Sequence, residues 1–402
     1  MLTAKTKNGK LISLLNEWSH KDLLELNDRE AFYCPACGSK VLMKLGLNRR
    51  WHFAHKRDSA CGSSEAESDY HLNGKEQLYD WLKSQNLNVK LEPYIPKIKQ
   101  RPDLFLSSPY YTPIEFQCSS ISDSHFLKRT RNYMNLRISP IWILGGNRLK
   151  RISQNGFQLT KMDWLTLREP ENESREPFLF YFCPNAKQFA LLTDLVPYSS
   201  TKTLAKLSYL NREEASCDDL TQKKLSPIYQ FPSNWLQIKT TWRSYSHLKR
   251  TPASRYVSKM LQAVSRELSF FPPEAGLPTR YQFWVDTPSY IWQTWLLLQC
   301  VHPLRIGQTF RFHDVNRSFQ RMLSKQIFTV RKLPLIKKSH YSFAIMDYLL
   351  ALCDLRILNR TGKTSFVKNS SISLPNTIDE AMHLDKEALH IVQGKRNSQV
   401  IT

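Results

Sequence analysis

The chain has 402 residues, 41% of them hydrophobic and 12% aromatic, enough to bury cores in two or three domains. With 57 Lys and Arg against 35 Asp and Glu, the formal charge is +22, which favours a polyanionic partner but bounds its class and not the activity. The most apolar stretch, Tyr290 to Leu298, is broken by Gln293 and Thr294 and is far too short to span a membrane; eight cysteines do not read as a disulfide framework.

Met1 to Lys5 carries no apolar run of secretory type, and a reduced cytoplasm is the expected compartment. Leu2 to Leu15 reads as a hairpin around Asn8-Gly9, and Ser19 with Asp22 resembles a capping box that opens a short helix. Then come Cys34-Pro35-Ala36-Cys37-Gly38 and His52-Phe53-Ala54-His55. Cys34, Cys37, His52 and His55 supply four ligands for a structural, tetrahedral Zn²⁺, with Gly38 permitting the tight turn. The His-x₂-His spacing is short, so Cys61 is an alternative fourth ligand. Around the knuckle, Arg49, Arg50 and Trp51 mix cations with an aromatic. That suits phosphate contact and base stacking, or else a solvated rim with Trp51 packed on the knuckle. Residues 1–62 are read as a zinc-finger-like domain.

Residues 63–150 read as helix, three strands, helix and strand. The first helix has Ser68-Asp69 as its cap and Tyr70 to Leu82 as its body. At helical spacing His71, Lys75, Leu78 and Leu82 share a stripe that faces the sheet, while Glu76 falls on the solvated side. Glu67 joins the stripe if the helix starts early. Asn88 to Ile95, Arg101 to Leu106 and Thr112 to Cys118 follow as strands. Asp103 and Glu115 fall on a paired hairpin, and Gln117 shares the face of Glu115. Two carboxylates, an amide oxygen and the Phe116 carbonyl are the oxygen donors that Mg²⁺ or Mn²⁺ takes. Such an ion polarises a phosphoryl oxygen and activates water. His71 and Lys75 are expected against a scissile phosphate or its metal.

Pro102-Asp103, then Glu115-Phe116-Gln117, set between two helices in an αβββαβ order, resembles the PD-(D/E)XK nuclease superfamily, with Gln117 where the motif ends in Lys. Together with the N-terminal Cys/His segment, the match is closer still to the CoiA-like competence proteins. The next helix, with Phe126, Arg129, Thr130 and Tyr133, and the strand Ile138 to Gly145 extend that similarity. Arg129 and Tyr133 are accordingly expected among the nucleic-acid contacts. Gln117 cannot serve as a general base.

Phe178 to Cys183 and Gln188 to Leu195 read as a second hairpin extending the sheet, so the nuclease-like domain is placed at 63–215. From about Thr221 the chain turns helical. Between Thr221 and His340 it carries 19 Lys and Arg against four acids. A helix over Ser254 to Leu268 presents Arg255, Lys259 and Arg266 opposite its apolar face, and Arg317, Arg321 and Lys325 form a similar ridge. Two such ridges suit a DNA backbone. Gly362 to Lys368 suits the wing of a winged helix, and the last 25 residues or so show little periodicity. Residues 216–402 are expected to form a mostly helical, basic DNA-binding domain.

The expected fold is therefore a multidomain α+β or α/β chain with a zinc knuckle, a nuclease-like core and a basic helical end. The expected function is metal-dependent hydrolysis of DNA. The resemblance implies genetic competence, where incoming single-stranded DNA or a recombination intermediate is processed, with recombination proteins as possible partners. A DNA-binding recombination accessory without turnover is the alternative. An RNA-binding factor fits the charge and the knuckle, but nothing in the core favours it.

Overall fold

The computed structural model describes residues 1–15, 17–47, 49–56, 61, 67–107, 110–170, 176–220, 231–245 and 251–399, without the side chains of 395–399. They form two compact units. One takes Met1–Lys150, Lys161–Leu192 and the segment that begins at Leu207; the other takes Arg151–Thr160, Thr193–Lys206 and the remainder of the chain. The boundary expected at 62/63 and the helical onset expected at Thr221 lie outside the described residues.

In the first unit, β1 (Thr3–Thr6) and β2 (Leu11–Ser13) pair as a hairpin, with Gly9 at φ 80°, a conformation that glycine adopts freely. α1 (His20–Arg29) is opened by reciprocal hydrogen bonds between Ser19 and Asp22. β3 (Phe32–Tyr33), β4 (Lys40–Lys44) and β5 (His52–His55) complete a sheet ordered β2-β1-β3-β4-β5. Alternate residues of β4, Val41 and Met43, turn inward with Phe53 and Leu23 to make a small core.

α2 (Asp69–Ser84) follows, capped by the Ser68 hydroxyl, which accepts the His71 backbone N–H. Then come β6 (Val89–Leu91), β7 (Leu104–Leu106), β8 (Thr112–Gln117), α3 (Asp123–Asn135) and β9 (Ile141–Gly145). β6, β7 and β8 are antiparallel neighbours, and β9 lies parallel to β8. β6 is shorter than the strand expected over Asn88 to Ile95. It stops at Leu91 because Glu92 takes φ 47°, in the left-handed region that no extended strand visits.

β10 (Lys150–Arg151), β11 (Gly156–Gln158) and α4 (Lys161–Leu165) follow. β12 (Leu179–Cys183) lies parallel to β9, and β13 (Gln188–Pro197) pairs with it antiparallel. The sheet of the first unit thus runs β13-β12-β9-β8-β7-β6. β13 and β14 (Lys202–Asn211) contribute residues to both units.

Both faces of this sheet are covered. Leu72, Leu78 and Leu82 of α2 join Ile114, Phe116, Ile141 and Ile143 in one core. On the other face Phe126 of α3 meets Trp142, ring centroids 4.3 Å apart. The period of two in β8 therefore aims Phe116 at α2 and Glu115 at α3. Gly74 makes the close approach of α2 possible, since a Cβ there would lie 1.9 Å from the Phe116 ring.

The second unit contains α5 (Pro232–Tyr245), α6 (Pro252–Gln262), α7 (Ser289–Leu296), β15 (Thr309–Arg311) and α8 (Phe312–Ser324). α9 (Tyr341–Asp354), β16 (Leu358–Arg360), β17 (Ser365–Lys368) and α10 (Ile378–Gln399) follow, with a small sheet ordered β15-β17-β16. β16 and β17 form a hairpin at the segment read as a wing. Two expectations are corrected. α6 ends at Gln262, with Ser265 at φ 57°, so the helix does not run on to Leu268. The C-terminal stretch is helical: Ala381, Asp385, Leu389 and Val392 of α10 face the core, and a buried Asp among them hides the apolar period.

Candidate active site and metal centre

The antiparallel register pairs Leu104 with Ile114, so Asp103, one residue outside the ladder, falls across from Glu115. Asp103 Oδ2 accepts the Phe116 backbone N–H at 2.9 Å and lies 3.4 Å from His71 Nε2, while Oδ1 lies 3.5 Å from Lys75 Nζ. Burial alone would raise the Asp103 carboxyl, but the His71 and Lys75 charges outweigh it and hold it well below the usual range. Glu115 Oε1 accepts from the Tyr133 hydroxyl at 2.5 Å and from the Arg129 guanidinium. Here burial dominates and neighbouring Asp103 adds to it. Arg129 opposes both, and the Glu115 carboxyl stays raised. One cavity is lined by His71, Asp103, Glu115, Gln117, His125 and Arg129, among others.

Lys75 differs from its expected role. It is fully buried, 2.8 Å from Glu67 Oε2 and 2.5 Å from Glu92 Oε1 as well as near Asp103, and it does not line the cavity. It holds carboxylates together and is out of reach of a phosphate. Glu92 is the partner that sequence reasoning missed. Its carboxylate also accepts the backbone N–H groups of Leu2 and Thr3 and the Thr3 hydroxyl at 2.9 Å. Charge from Lys75 and Arg101 overcomes burial and brings Glu92 down to about 2. Gln117 is half-buried, and its amide donates to the Ser119 carbonyl at 2.9 Å.

At the knuckle, the Cys34 carbonyl accepts the Gly38 N–H at 2.9 Å, and Gly38 takes φ 71°. Cys34, Cys37, His55 and Cys61 place one ligand atom each within 4.8 Å of one another. His52 is not among them; its Nδ1 lies 2.8 Å from the Arg50 carbonyl. The reason is parity: His52 and His55 are three apart on a strand, so they face opposite sides, and Cys61 takes the fourth place. Burial pushes the Cys37 thiol up, but hydrogen bonds with Ser39, His55 and Cys61 bring it down to about 6. Three thiols and one imidazole suit a metal that prefers sulfur and nitrogen.

The residues expected at nucleic acid divide. Arg49, Arg255, Lys259, Arg317, Arg321 and Lys325 are exposed. Trp51 is half-buried against the small core, its ring 5.6 Å from His20. Arg50 is bound to Glu76, which is therefore an ion-pair partner and not simply solvated. Arg266 lies beyond the end of α6, and its guanidinium donates to the Leu374 carbonyl at 3.2 Å and to Asn376. Tyr133 is fully buried, so it cannot reach a nucleic acid, and Arg129 is committed to Glu115. Both position the acid.

Family models describe this arrangement as a class: residues 67–225 match the nuclease-like domain of competence protein CoiA, flanked by matches to its N-terminal domain at 15–64 and its C-terminal domain at 231–382. The chain is similar to the competence protein CoiA of Bacillus subtilis (strain 168), with 29% identity over 361 residues, covering 89% of this chain and 95% of that protein. The chain belongs to the CoiA family of competence proteins. No solved structure matches it. Among the described residues no helix is long and apolar enough to cross a membrane.

Proposed function

We propose that this chain is a divalent-metal-dependent deoxyribonuclease of PD-(D/E)XK type that processes incoming DNA during genetic transformation, in a reduced cytoplasm and alongside recombination proteins. One observation carries the reading: two carboxylates, buried Glu115 on β8 and half-buried Asp103 one residue before β7, meet at one cavity inside the nuclease-like match. The order α2-β6-β7-β8-α3-β9 supports it.

The donor set fits Mg²⁺ or Mn²⁺. Asp103 and Glu115 offer carboxylate oxygens, and the repulsion by which Asp103 helps keep Glu115 raised is what a cation would relieve. When bound, the ion supplies charge to a phosphoryl oxygen and lowers the pKa of water. His71 orients Asp103 and faces the cavity, where it can donate to a phosphate oxygen. Lys75 keeps Asp103 ionised, while Arg129 and Tyr133 fix the Glu115 carboxylate. Gln117 orients by hydrogen bonding only. Cys34, Cys37, His55 and Cys61 fit a structural Zn²⁺ with no open position. The exposed cations of α6 and α8 would take DNA phosphates, so residues 216–402 act as the DNA-binding part beside the knuckle and the nuclease-like domain.

A second reading, a silent DNA-binding recombination accessory, is favoured by the fact that each carboxylate already has a cation, Arg129 on Glu115 and Lys75 beside Asp103. Cleavage of end-labelled single-stranded, duplex and branched DNA with Mg²⁺ or Mn²⁺ separates the two. Cutting that Asp103→Ala and Glu115→Ala both abolish, with binding retained, is the expected result. Tight salt-sensitive binding with no cutting on any substrate leaves the accessory.

A further inference from the structure

Within the first unit a groove separates the knuckle from α3. Cys37 and Cys61 form one wall, Tyr94 and Lys99 come from the turn after β6, and His125, Lys128 and Arg129 come from α3. None of the residues lining this groove is acidic, whereas the neighbouring cavity holds Glu67, Asp103 and Glu115. His125 and Arg129 line both, so groove and cavity join there.

Lys99 and Lys128 are exposed, and neither has an ion-pair partner among the described residues. Lys99 ends a short 3₁₀ turn at φ 52°, a conformation that a lysine adopts at a cost. Tyr94 is half-buried and forms part of the groove wall. Cations without counter-charges beside an aromatic ring form the pattern by which proteins hold an unpaired polynucleotide.

We propose that this groove guides one strand of a polynucleotide into the carboxylate cavity. Lys99 and Lys128 hold successive phosphates, Tyr94 stacks on a base, and His125, where groove and cavity join, delivers the scissile phosphodiester to the acids. The strand is single because both faces of a base inside a duplex are already stacked, which leaves Tyr94 nothing to cover. A row of phosphates would be repelled by Asp103 and Glu115 alone. The acid-free groove supplies the attraction that the cavity lacks. The inference rests on reading the cavity as a phosphodiester site.

The test measures binding of a fluorescein-labelled short oligothymidylate, and of a matching duplex, to the full-length protein without added Mg²⁺ or Mn²⁺. Lys99→Ala/Lys128→Ala should weaken single-strand binding roughly tenfold and reduce the slope of log K against log salt by about 1.4, two phosphate contacts on a single strand. Tyr94→Leu should weaken it by about fivefold or more without changing the slope. Duplex binding should change little. Unchanged affinity and slope in the double variant, equal weakening for the duplex, or no oligothymidylate binding by the wild type each overturns the proposal. Cleavage assays on the same proteins separate the two readings. Binding that depends on Lys99 and Lys128 without cleavage keeps the groove and removes the nuclease. Cleavage with unaltered binding in the double variant does the reverse.

Discussion

Each unit buries a network of opposite charges, one closed on all sides and the other open on a cavity. In the second unit Asp385 is gripped by Lys239 at 2.7 Å and by both arms of Arg243 at 2.7 Å. Further donors of the two cations go to the carbonyls of Ser269, Phe271 and Pro273, and Arg243 also lies over the Phe271 ring. One acid serves two bases and all three are buried. In the first unit Lys75 serves Glu67, Glu92 and Asp103, the N-terminal ammonium, Arg101 and His71 each join one of these acids, and the cluster opens on one side into a cavity through Glu67 and Asp103. A sealed network fixes two helices to each other. A network with an open edge leaves carboxylate oxygens of Glu67 and Asp103 facing a cavity, which is what the proposed cation would need. Burial of charge alone does not mark a site; the open edge does.

The largest stability effect is expected in the sealed network. Asp385→Ala leaves two buried cations without a counter-charge, and breaking such a pair costs about 3–5 kcal/mol. Urea unfolding should show the second unit destabilised by that order, and a loss below about 1 kcal/mol would mean that water reaches the site. Lys75→Met should be nearly as costly at neutral pH, but with a different signature. Glu92 is held at about 2, and Glu67 and Asp103 are also held below their usual values. Their contribution is full above the unfolded carboxylate range, near pH 4, and is lost as pH falls through the folded values. The stability gap between wild type and Lys75→Met should therefore be widest near neutral pH and close towards pH 2. A gap that stays constant with pH would deny Lys75 this role.

How far the two networks were legible in the sequence follows from the same contrast. Asp103 and Glu115 could be placed because hairpin register and strand parity are local rules, and His71 followed from helical spacing. The αβββαβ order of the first unit was likewise readable from caps, turns and alternation. Glu92 escaped because alternation over Asn88 to Ile95 puts it on the face of exposed Lys90, whereas the strand ends at Leu91 and the left-handed backbone of Glu92 turns it inward. Lys75 falls on the stripe that faces the sheet, as spacing implies, but its pairing with Glu92 and Asp103, on other elements, is what takes it away from a phosphate. Asp385 escaped for the converse reason. Its partners lie 142 residues away, for Arg243, and a lone acid in the apolar stripe made α10 look irregular. Spacing carries position within an element; pairing across the chain decides what a charged residue is for.

The knuckle sharpens the point by asking for stoichiometry instead of stability. The side chains whose ligand atoms come together there are Cys34, Cys37, His55 and Cys61, whereas His52 lies against the Arg50 carbonyl. Cys61→Ser should lower the zinc content of the purified protein well below one equivalent, measured by plasma mass spectrometry. His52→Ala should leave it unchanged and cost about 1 kcal/mol at most. Equal zinc loss in both variants would return His52 to the centre.

The smallest stability effect, and the most discriminating, belongs to Glu115→Gln. Burial raises the Glu115 carboxyl, so the ionised side chain is held in the fold against a penalty that builds as pH rises from the unfolded carboxylate range to its raised folded value and stays constant above it. An uncharged amide escapes that penalty while its oxygen still accepts from Arg129 and Tyr133. The variant should be as stable as wild type or slightly more so at pH 7, and the difference should shrink or reverse as acid protonates Glu115 in the wild type. Cleavage should be lost at every pH at which the wild type cuts. A sealed structural carboxylate such as Asp385 would behave oppositely, losing stability on neutralisation with no activity to lose. If Glu115→Gln destabilised the protein at pH 7 by an amount comparable to Asp385→Ala, Glu115 would belong with the sealed network, and the open edge would no longer distinguish the two.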